Sequence, residues 1–242
     1  MLFSSALFLL YFFPVFITGV FVIPKTLQNA FLLILSLFFY FWGAPEFILI
    51  LIYVTSINFY VAGKIPYHKR KRLLLWVYIG LNLGLLAYFK YTNFLIENVN
   101  LLLLDLGLES LKLSNIVLPL GISFFTFQSI TYGVDVYRGK AQPQKSIFNY
   151  WLYILFFPQL IAGPIVTYNS ISEQLTNRVI NQSKIIEGVC RFIIGLGKKV
   201  LIANVLSQYS DQLYHWNSLY PDSSPLIAWV ALLAFTLSLI HI

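Results

Sequence analysis

The chain has 242 residues, of which 59% are hydrophobic, 18% aromatic and only 10% charged. A water-soluble domain carries charge on about a quarter of its residues, and a surface must be covered with polar groups, so a soluble globular fold is excluded. Long unbroken apolar runs exclude a transmembrane β-barrel, whose strands alternate over about ten residues. The net charge of +7 reads as basic loops facing anionic lipid, not as nucleic-acid binding.

The fold class that remains is all-α: a polytopic membrane protein, read as one transmembrane domain over residues 1–242. One cysteine, Cys190, allows no internal disulfide. His68, His215 and His241 share no ligand spacing, so no metal site is expected. The opening run Met1–Ile23 lacks a basic n-region and a small-residue cleavage site, and is expected to stay as a first spanning helix. Residues 29–63 are apolar but broken at Gly43-Ala44-Pro45, which predicts two helices, Asn29–Trp42 and Glu46–Ala62, the first of them short and tilted or partly inserted. The basic run Lys64–Arg72 follows, then a helix Leu73–Phe89 whose Gly80 and Gly84 allow close helix contact. Asn93–Leu113 mixes leucines with Glu97, Asp105 and Glu109 and reads as an interfacial segment. Leu118–Tyr137 is an aromatic-rich helix, Ile147–Val166 an apolar run punctuated by Pro158, Gly163 and Pro164, and Ser183–Gln208 an amphipathic helix. Asn169–Gln182 and Ser207–Ser224 read as polar connections, and a last apolar run starts at Pro225. By the positive-inside rule the Lys64–Arg72 loop belongs in the cytoplasm, which puts the N-terminus outside and Lys25 inside.

Two segments carry candidate chemistry. Ser114 or Asn115 can cap the helix that Pro119 opens, with Gly121 and Ser123 following as its start motif. Along it Phe124, Gln128, Thr131 and Asp135 recur at steps of four, three and four, so they share one face. A Gln-Thr-Asp stripe is costly against lipid: it is either a wall of a substrate tunnel or a buried structural network with Asp135 paired to Arg138. In the second segment Pro158, Gly163 and Pro164 free backbone groups that hydrocarbon cannot satisfy. That break, with Gln159 inside it, reads either as a broken or re-entrant helix lining a cavity or as a simple kink or a helix end in a loop. Gly195-Leu196-Gly197-Lys198-Lys199 lacks the spacing of a phosphate loop.

These segments, together with the opening Met1-Leu2-Phe3-Ser4-Ser5 and Phe8–Pro14, resemble the membrane-bound O-acyltransferase (MBOAT) family, in particular the membrane subunit of bacterial alginate and cell-envelope polysaccharide O-acetylation. The likeness to the D-alanylation branch is weaker at the opening segment. What the resemblance implies is a ring of tilted and re-entrant helices around a tunnel. Gln128, Thr131, Asp135, Pro158, Gln159, Gly163 and Pro164 would line it. No cofactor is implied; acetyl-CoA or another acyl thioester would be the donor substrate. The acceptor would be a polysaccharide hydroxyl, with an extracytoplasmic acetyltransferase as partner, at the bacterial inner membrane. The family's histidine, in a Trp-Arg-x-Trp-His context, is expected beyond position 242, so the chain alone would be inactive; His241 is no substitute. After Leu237 the run Ser238–Ile242 departs from the family pattern, and Leu237–Ile242 equals a translation of a transposase sequencing adapter, so it is expected to be a non-native tail. A secondary transporter with broken helices and a non-catalytic scaffold of an envelope-modifying complex are the other functions that such features fit.

Overall fold

The structure is a computed structural model that describes residues 3–112, 115–160, 163, 166–176, 178, 181–220 and 224–241. Among these residues there is no strand, and helices follow one another from end to end: α1 (Phe13–Val22), α2 (Lys25–Gly43), α3 (Ile48–Lys64), α4 (Lys71–Asp105), α5 (Ile122–Tyr137), α6 (Ile147–Leu155), α7 (Phe157–Leu160), α8 (Tyr168–Thr176), α9 (Gln182–Lys198), α10 (Asn204–Leu219) and α11 (Pro225–Ile240). Three of them, α2, α3 with its flanking 3₁₀ turns, and α4, are long and apolar enough to cross a membrane. The first helix, Phe8–Val22 with a π turn at Phe8–Phe12, is shorter than the run Met1–Ile23 predicts. Two compact units form, one from Pro14–Arg178 and one from Leu2–Phe13 with Val179–Ile242.

In the first unit α2 starts four residues earlier than expected, directly after Pro24, and its 19 residues remove the need for tilt or partial insertion. At about 1.5 Å per residue it measures about 28 Å, close to the hydrocarbon thickness of about 30 Å. α4 corrects a second expectation. Instead of a helix ending near Phe89 and a separate interfacial segment, a single helix of 35 residues runs to Asp105. No proline or glycine interrupts it after Gly84. It ends at Gly107, whose φ of +73° allows the Gly107 N–H to reach the Leu104 carbonyl (3.0 Å) and the Leu108 N–H that of Leu103 (2.8 Å), the paired bonds of a Schellman stop.

The polar residues of its second half are used from the side. Asn93 accepts from the Ile116 N–H (3.0 Å) and donates to the Ile116 carbonyl (2.8 Å). Asn100 holds the Leu111 backbone in the same two-way manner, at 2.7 and 3.2 Å. Two amides thus act as a neighbouring strand would and satisfy the backbone of Leu111 and Ile116.

α5 packs against α3 and α4, and α6 against α2 and α3. The close approach predicted at Gly80 and Gly84 is absent, since a methyl group on either would meet nothing within 4 Å. It occurs at Gly133, where a methyl group would overlap the ring of Tyr78. The Tyr78 hydroxyl then donates to the Ser129 carbonyl at 2.6 Å. Nearby, Asn58 on α3 and Asn82 on α4 are buried and exchange amide bonds of 2.9 and 2.8 Å.

In the second unit the polar run after Ser207 is helical through Leu219, not a connection. α9 passes into α10 through a π turn at Lys199–Ala203, so Lys198 and Lys199 sit on continuous helix and form no loop. The Ala203 carbonyl within that turn accepts the Ser238 hydroxyl (2.9 Å), and Ser210 donates to the Ala231 carbonyl (3.0 Å), which fastens α11.

Candidate functional site

The break predicted around Pro158 lies at Phe156, where ψ is 115°. Proline has no N–H to return to the carbonyl four residues back, and its ring crowds that carbonyl. α6 therefore ends at Leu155 and a single turn, α7, begins at Phe157, with the Phe156 carbonyl accepting from the N–H groups of Gln159 (2.9 Å) and Leu160 (3.1 Å).

Protein side chains take up the polar groups that the break frees. On one side, Gln128 Nε2 donates to the carbonyl of Tyr153 at 2.9 Å. The same nitrogen donates to Gln159 Oε1, past the break, at 3.0 Å. On the other side the Phe157 N–H donates to Ser36 Oγ (3.2 Å), and that hydroxyl in turn donates to the Leu32 carbonyl (2.7 Å). Gln128, 2% exposed, is therefore a clasp between the two halves of a broken helix. An unpaired amide in such a place would cost several kcal/mol, on the order of 2–7; here both of its donors are used.

The start of α5 is shaped by the same junction. The helix begins at Ile122, later than Leu118, so Pro119 lies outside its first turn and Asn115 does not cap it. Ser114 lies outside the described residues. Gly121 occupies the cap position at φ +73°, a conformation that costs other L-residues about 1–2 kcal/mol. A methyl group there would also overlap the carbonyl oxygen of Leu160, the last residue of α7. Pro119 is buried, Ser123 half-buried, and the Pro119 carbonyl accepts the Ile122 N–H at 3.2 Å. Gly163 folds back on the turn before it: a methyl group would come within 2.7 Å of Gln159 Cα.

The remaining candidates are placed less deeply. Thr131 is half-buried and its hydroxyl donates to the Gln128 carbonyl at 2.8 Å. Asp135 is half-buried; among the described residues it forms no ion pair with Arg138, which is exposed. Pro158 is exposed. Pro164 lies outside the described residues, as do Ile161, Ala162 and Ile165. The most buried face of α5 is Ile122, Phe125, Ser129, Tyr132 and Val136, one position round from the polar stripe, with Gln128 at its edge.

Behind this junction stands a group of tyrosines. The rings of Tyr132, Tyr150, Tyr153 and Tyr168 lie with neighbouring centroids 4.8 to 6.4 Å apart. Three of the hydroxyls tie down the connection between α5 and α8: Tyr132 accepts from the Gln144 N–H (2.9 Å), Tyr153 donates to the Val166 carbonyl (2.9 Å) and Tyr168 accepts from Gln144 Nε2 (3.1 Å).

In front of it lies a cavity of about 260 Å³, lined by residues of α1, α2, α6, α7 and α8 and by Arg178. Its walls are apolar, including Phe16, Val20, Leu32 and Phe156, with Gln159, Gln174 and Arg178 as polar points. Gln159 is thus the one predicted residue that both meets Gln128 and lines this cavity; Thr131, Asp135, Pro158 and Gly163 are not among its lining residues. Arg178, which the sequence places only in a polar connection, is the residue that sequence reasoning missed. Its guanidinium donates to Gln28 Oε1 (3.4 Å) and Asn29 Oδ1 (3.1 Å), and burial lowers its pKa from the usual guanidinium value. The three histidines take no part: His68 and His215 are exposed, His241 is half-buried near the end of the last helix, and among the described residues no cluster of His, Cys, Asp or Glu could hold a metal.

Comparison with known proteins adds the wider context. Residues 141–241 match the family model of the membrane-bound O-acyltransferase family. A protein of Pseudomonas syringae pv. tomato named "Probable alginate O-acetylase AlgI" is 35% identical over 243 residues, covering 99% of this chain and 46% of that protein. Its namesake in Pseudomonas putida is 34% identical, covering 99% and 49%. A "Peptidoglycan O-acetyltransferase" of Helicobacter pylori is 35% identical over 87% of this chain and 46% of its own length. This chain thus spans about half the length of the curated relatives it matches. No solved structure gives a significant match. With its spanning helices, the chain is a multi-pass helical membrane protein.

Proposed function

Because this chain is a relative of the membrane-bound O-acyltransferases, we propose that it supplies part of the membrane-embedded body of an O-acetyltransferase that modifies a cell-envelope polysaccharide such as alginate. The observation that carries this reading is the likeness to the alginate O-acetylases over 243 aligned residues. It takes in α5 and the α6–α7 break together, the two elements that Gln128 joins. At this break the Tyr153 and Phe156 carbonyls and the Phe157 N–H are answered by protein, which is how irregular backbone can be kept at membrane depth.

In this reading an acyl thioester, acetyl-CoA in the first instance, approaches from the cytoplasmic side, where the Lys64–Arg72 loop lies. The acceptor hydroxyl oxygen attacks the thioester carbonyl, its proton passes to a histidine acting as general base, and the thiol leaves with a proton returned to it. That histidine is assigned outside residues 1–242, since no Trp-Arg-x-Trp-His occurs within them. Residues 1–242 by themselves are therefore inactive, and the N-terminus is extracytoplasmic. A separate extracytoplasmic acetyltransferase would complete delivery to the polymer.

The test is a chimera. Residues 1–235 replace the matching part of the Pseudomonas putida relative in cells that lack that relative, and ester-linked acetate in the secreted polysaccharide is measured. The chimera is expected to restore acetate, and the 242-residue chain alone to give none. Transfer by the chain alone would refute the assignment of the base, and a stably inserted chimera that leaves the polymer unacetylated would refute the acetyltransferase reading.

A further inference from the structure

Among the described residues Arg178 is a cation without an acid. Among the described residues the single ion pair is Arg191 with Glu187, in the other unit. Arg178 is half-buried, and its two hydrogen bonds go to neutral amide oxygens. A guanidinium carries five N–H donors in a rigid fork, so three remain for a ligand. A half-buried charge of this kind is costly unless something answers it.

The platform beneath the guanidinium is built in advance. Gln28 is 5% exposed, and its amide nitrogen donates to the carbonyls of Val20 (2.9 Å) and Ile23 (3.3 Å), which turns its oxygen towards Arg178. Asn29 is fixed in the same way by the Leu175 carbonyl (2.7 Å) and Asn149 Oδ1 (3.1 Å). Contacts from α1, α2, α6 and α8 thus converge on one arginine fork.

Position then selects the ligand. Gln28 and Asn29 lie in the first turns of α2, at one end of a candidate membrane span that begins with Lys25. Leu32, on the cavity wall, stands one turn (about 5.4 Å) deeper. The cavity of about 260 Å³ that starts at Arg178 is otherwise apolar over most of its wall. A small soluble anion would use the fork and leave the apolar wall empty. A molecule with an anionic head at the level of the membrane surface and an aliphatic tail below it uses both. A phosphodiester fits the fork better than a carboxylate in this setting, because it stays charged at every physiological pH and presents its two oxygens to parallel N–H donors.

We propose that the cavity beside Arg178 is a binding site for one anionic phospholipid, with the phosphate on the Arg178 guanidinium and one acyl chain against Phe16, Val20, Leu32 and Phe156. The site is separate from the acyl-transfer reading and stands without it, since its occupant is not a reactant. The lipid completes the charge on Arg178 and fills the space between α1, α2 and α6.

Native mass spectrometry of the 242-residue chain released from detergent tests this. The chain is mixed in turn with phosphatidylglycerol, phosphatidylcholine, palmitate and inorganic phosphate at equal concentration. One phosphatidylglycerol is expected to be retained, with phosphatidylcholine at least fivefold weaker because its cationic headgroup is set against Arg178 and Lys25. Arg178→Ala is expected to bring the two lipids within twofold of one another. Val20→Trp, which fills the cavity and keeps the fork, is expected to lower phosphatidylglycerol retention at least fivefold. Should Arg178→Ala fail to fold, Arg178→Lys serves in its place, with weaker retention but the same headgroup preference. Equal retention of the two lipids by the unaltered chain, or a preference that survives Arg178→Ala, would overturn the proposal. Retention of palmitate at the level of phosphatidylglycerol would make this a fatty-acid site instead, and binding of inorganic phosphate with equal strength would make it a soluble-anion site; both outcomes also overturn it.

Discussion

Replacing Gly121 with alanine is expected to destabilise the first unit by about 3 kcal/mol. Two costs combine. The left-handed backbone at φ +73° penalises a side chain by about 1–2 kcal/mol, and the new methyl overlaps the Leu160 carbonyl oxygen, which belongs to backbone that cannot swing aside. Overpacking of that kind adds about 1–3 kcal/mol. Gly107 provides the control, because it has the same φ of +73° and a methyl group there meets nothing within 4 Å. Gly107→Ala should therefore cost only about 1 kcal/mol. Reversible unfolding in mixed detergent micelles, followed by circular dichroism, gives both numbers, and their difference isolates the contact between the start of α5 and the end of α7. Equal losses would mean that the contact does not form.

Gln128→Leu is the second large effect, expected at about 2–3 kcal/mol. Leucine fills the same space but leaves two acceptors, the Tyr153 carbonyl and Gln159 Oε1, without the donor that both share. A buried polar group left unpaired costs about 1–3 kcal/mol. Gln159→Leu should cost less, because Gln128 then still caps the Tyr153 carbonyl. In the double variant the losses should fall short of additivity by about 1 kcal/mol, the coupling expected of residues in direct contact. A coupling near zero would show that the two glutamines do not meet.

Much of the architecture is written locally. Gly43-Ala44-Pro45 announces the end of α2, Pro158 the end of α6, and Gly139, at φ +71°, the stop after Tyr137. The polar stripe on α5 announces that Gln128 needs a partner. The partners themselves are not legible, because Ser36 and Phe157 are 121 positions apart and Gln128 and Gln159 are 31 apart; only packing brings them together. The same limit explains the misreadings. Asn93 and Asn100 look like water-facing amides on an interfacial segment until the backbone groups of Ile116 and Leu111 meet them. The glycine spacing in α4 looks like a helix contact, yet the glycine that matters is Gly133, and its significance depends on a tyrosine 55 positions earlier (133 − 78). Arg178 gives no signal in a polar stretch, since its meaning comes from two amides at the start of α2 and from the absence of an ion-pair partner among the described residues.

The central claim is that Gln128, with the buried face of α5 beside it, and the α6–α7 break close on each other as protein interior, away from acyl chains. A lipid-soluble diazirine, activated in membranes carrying the chain and mapped residue by residue, measures this without altering a side chain. Label is expected on the exposed rings of Phe127 and Phe148, 41% and 62% accessible, and not on Gln128, Tyr132 or Val136, each 2% or less. Insertion into Gln128 and Tyr132 at the level seen for Phe127 would contradict the account, because those side chains would then be facing hydrocarbon.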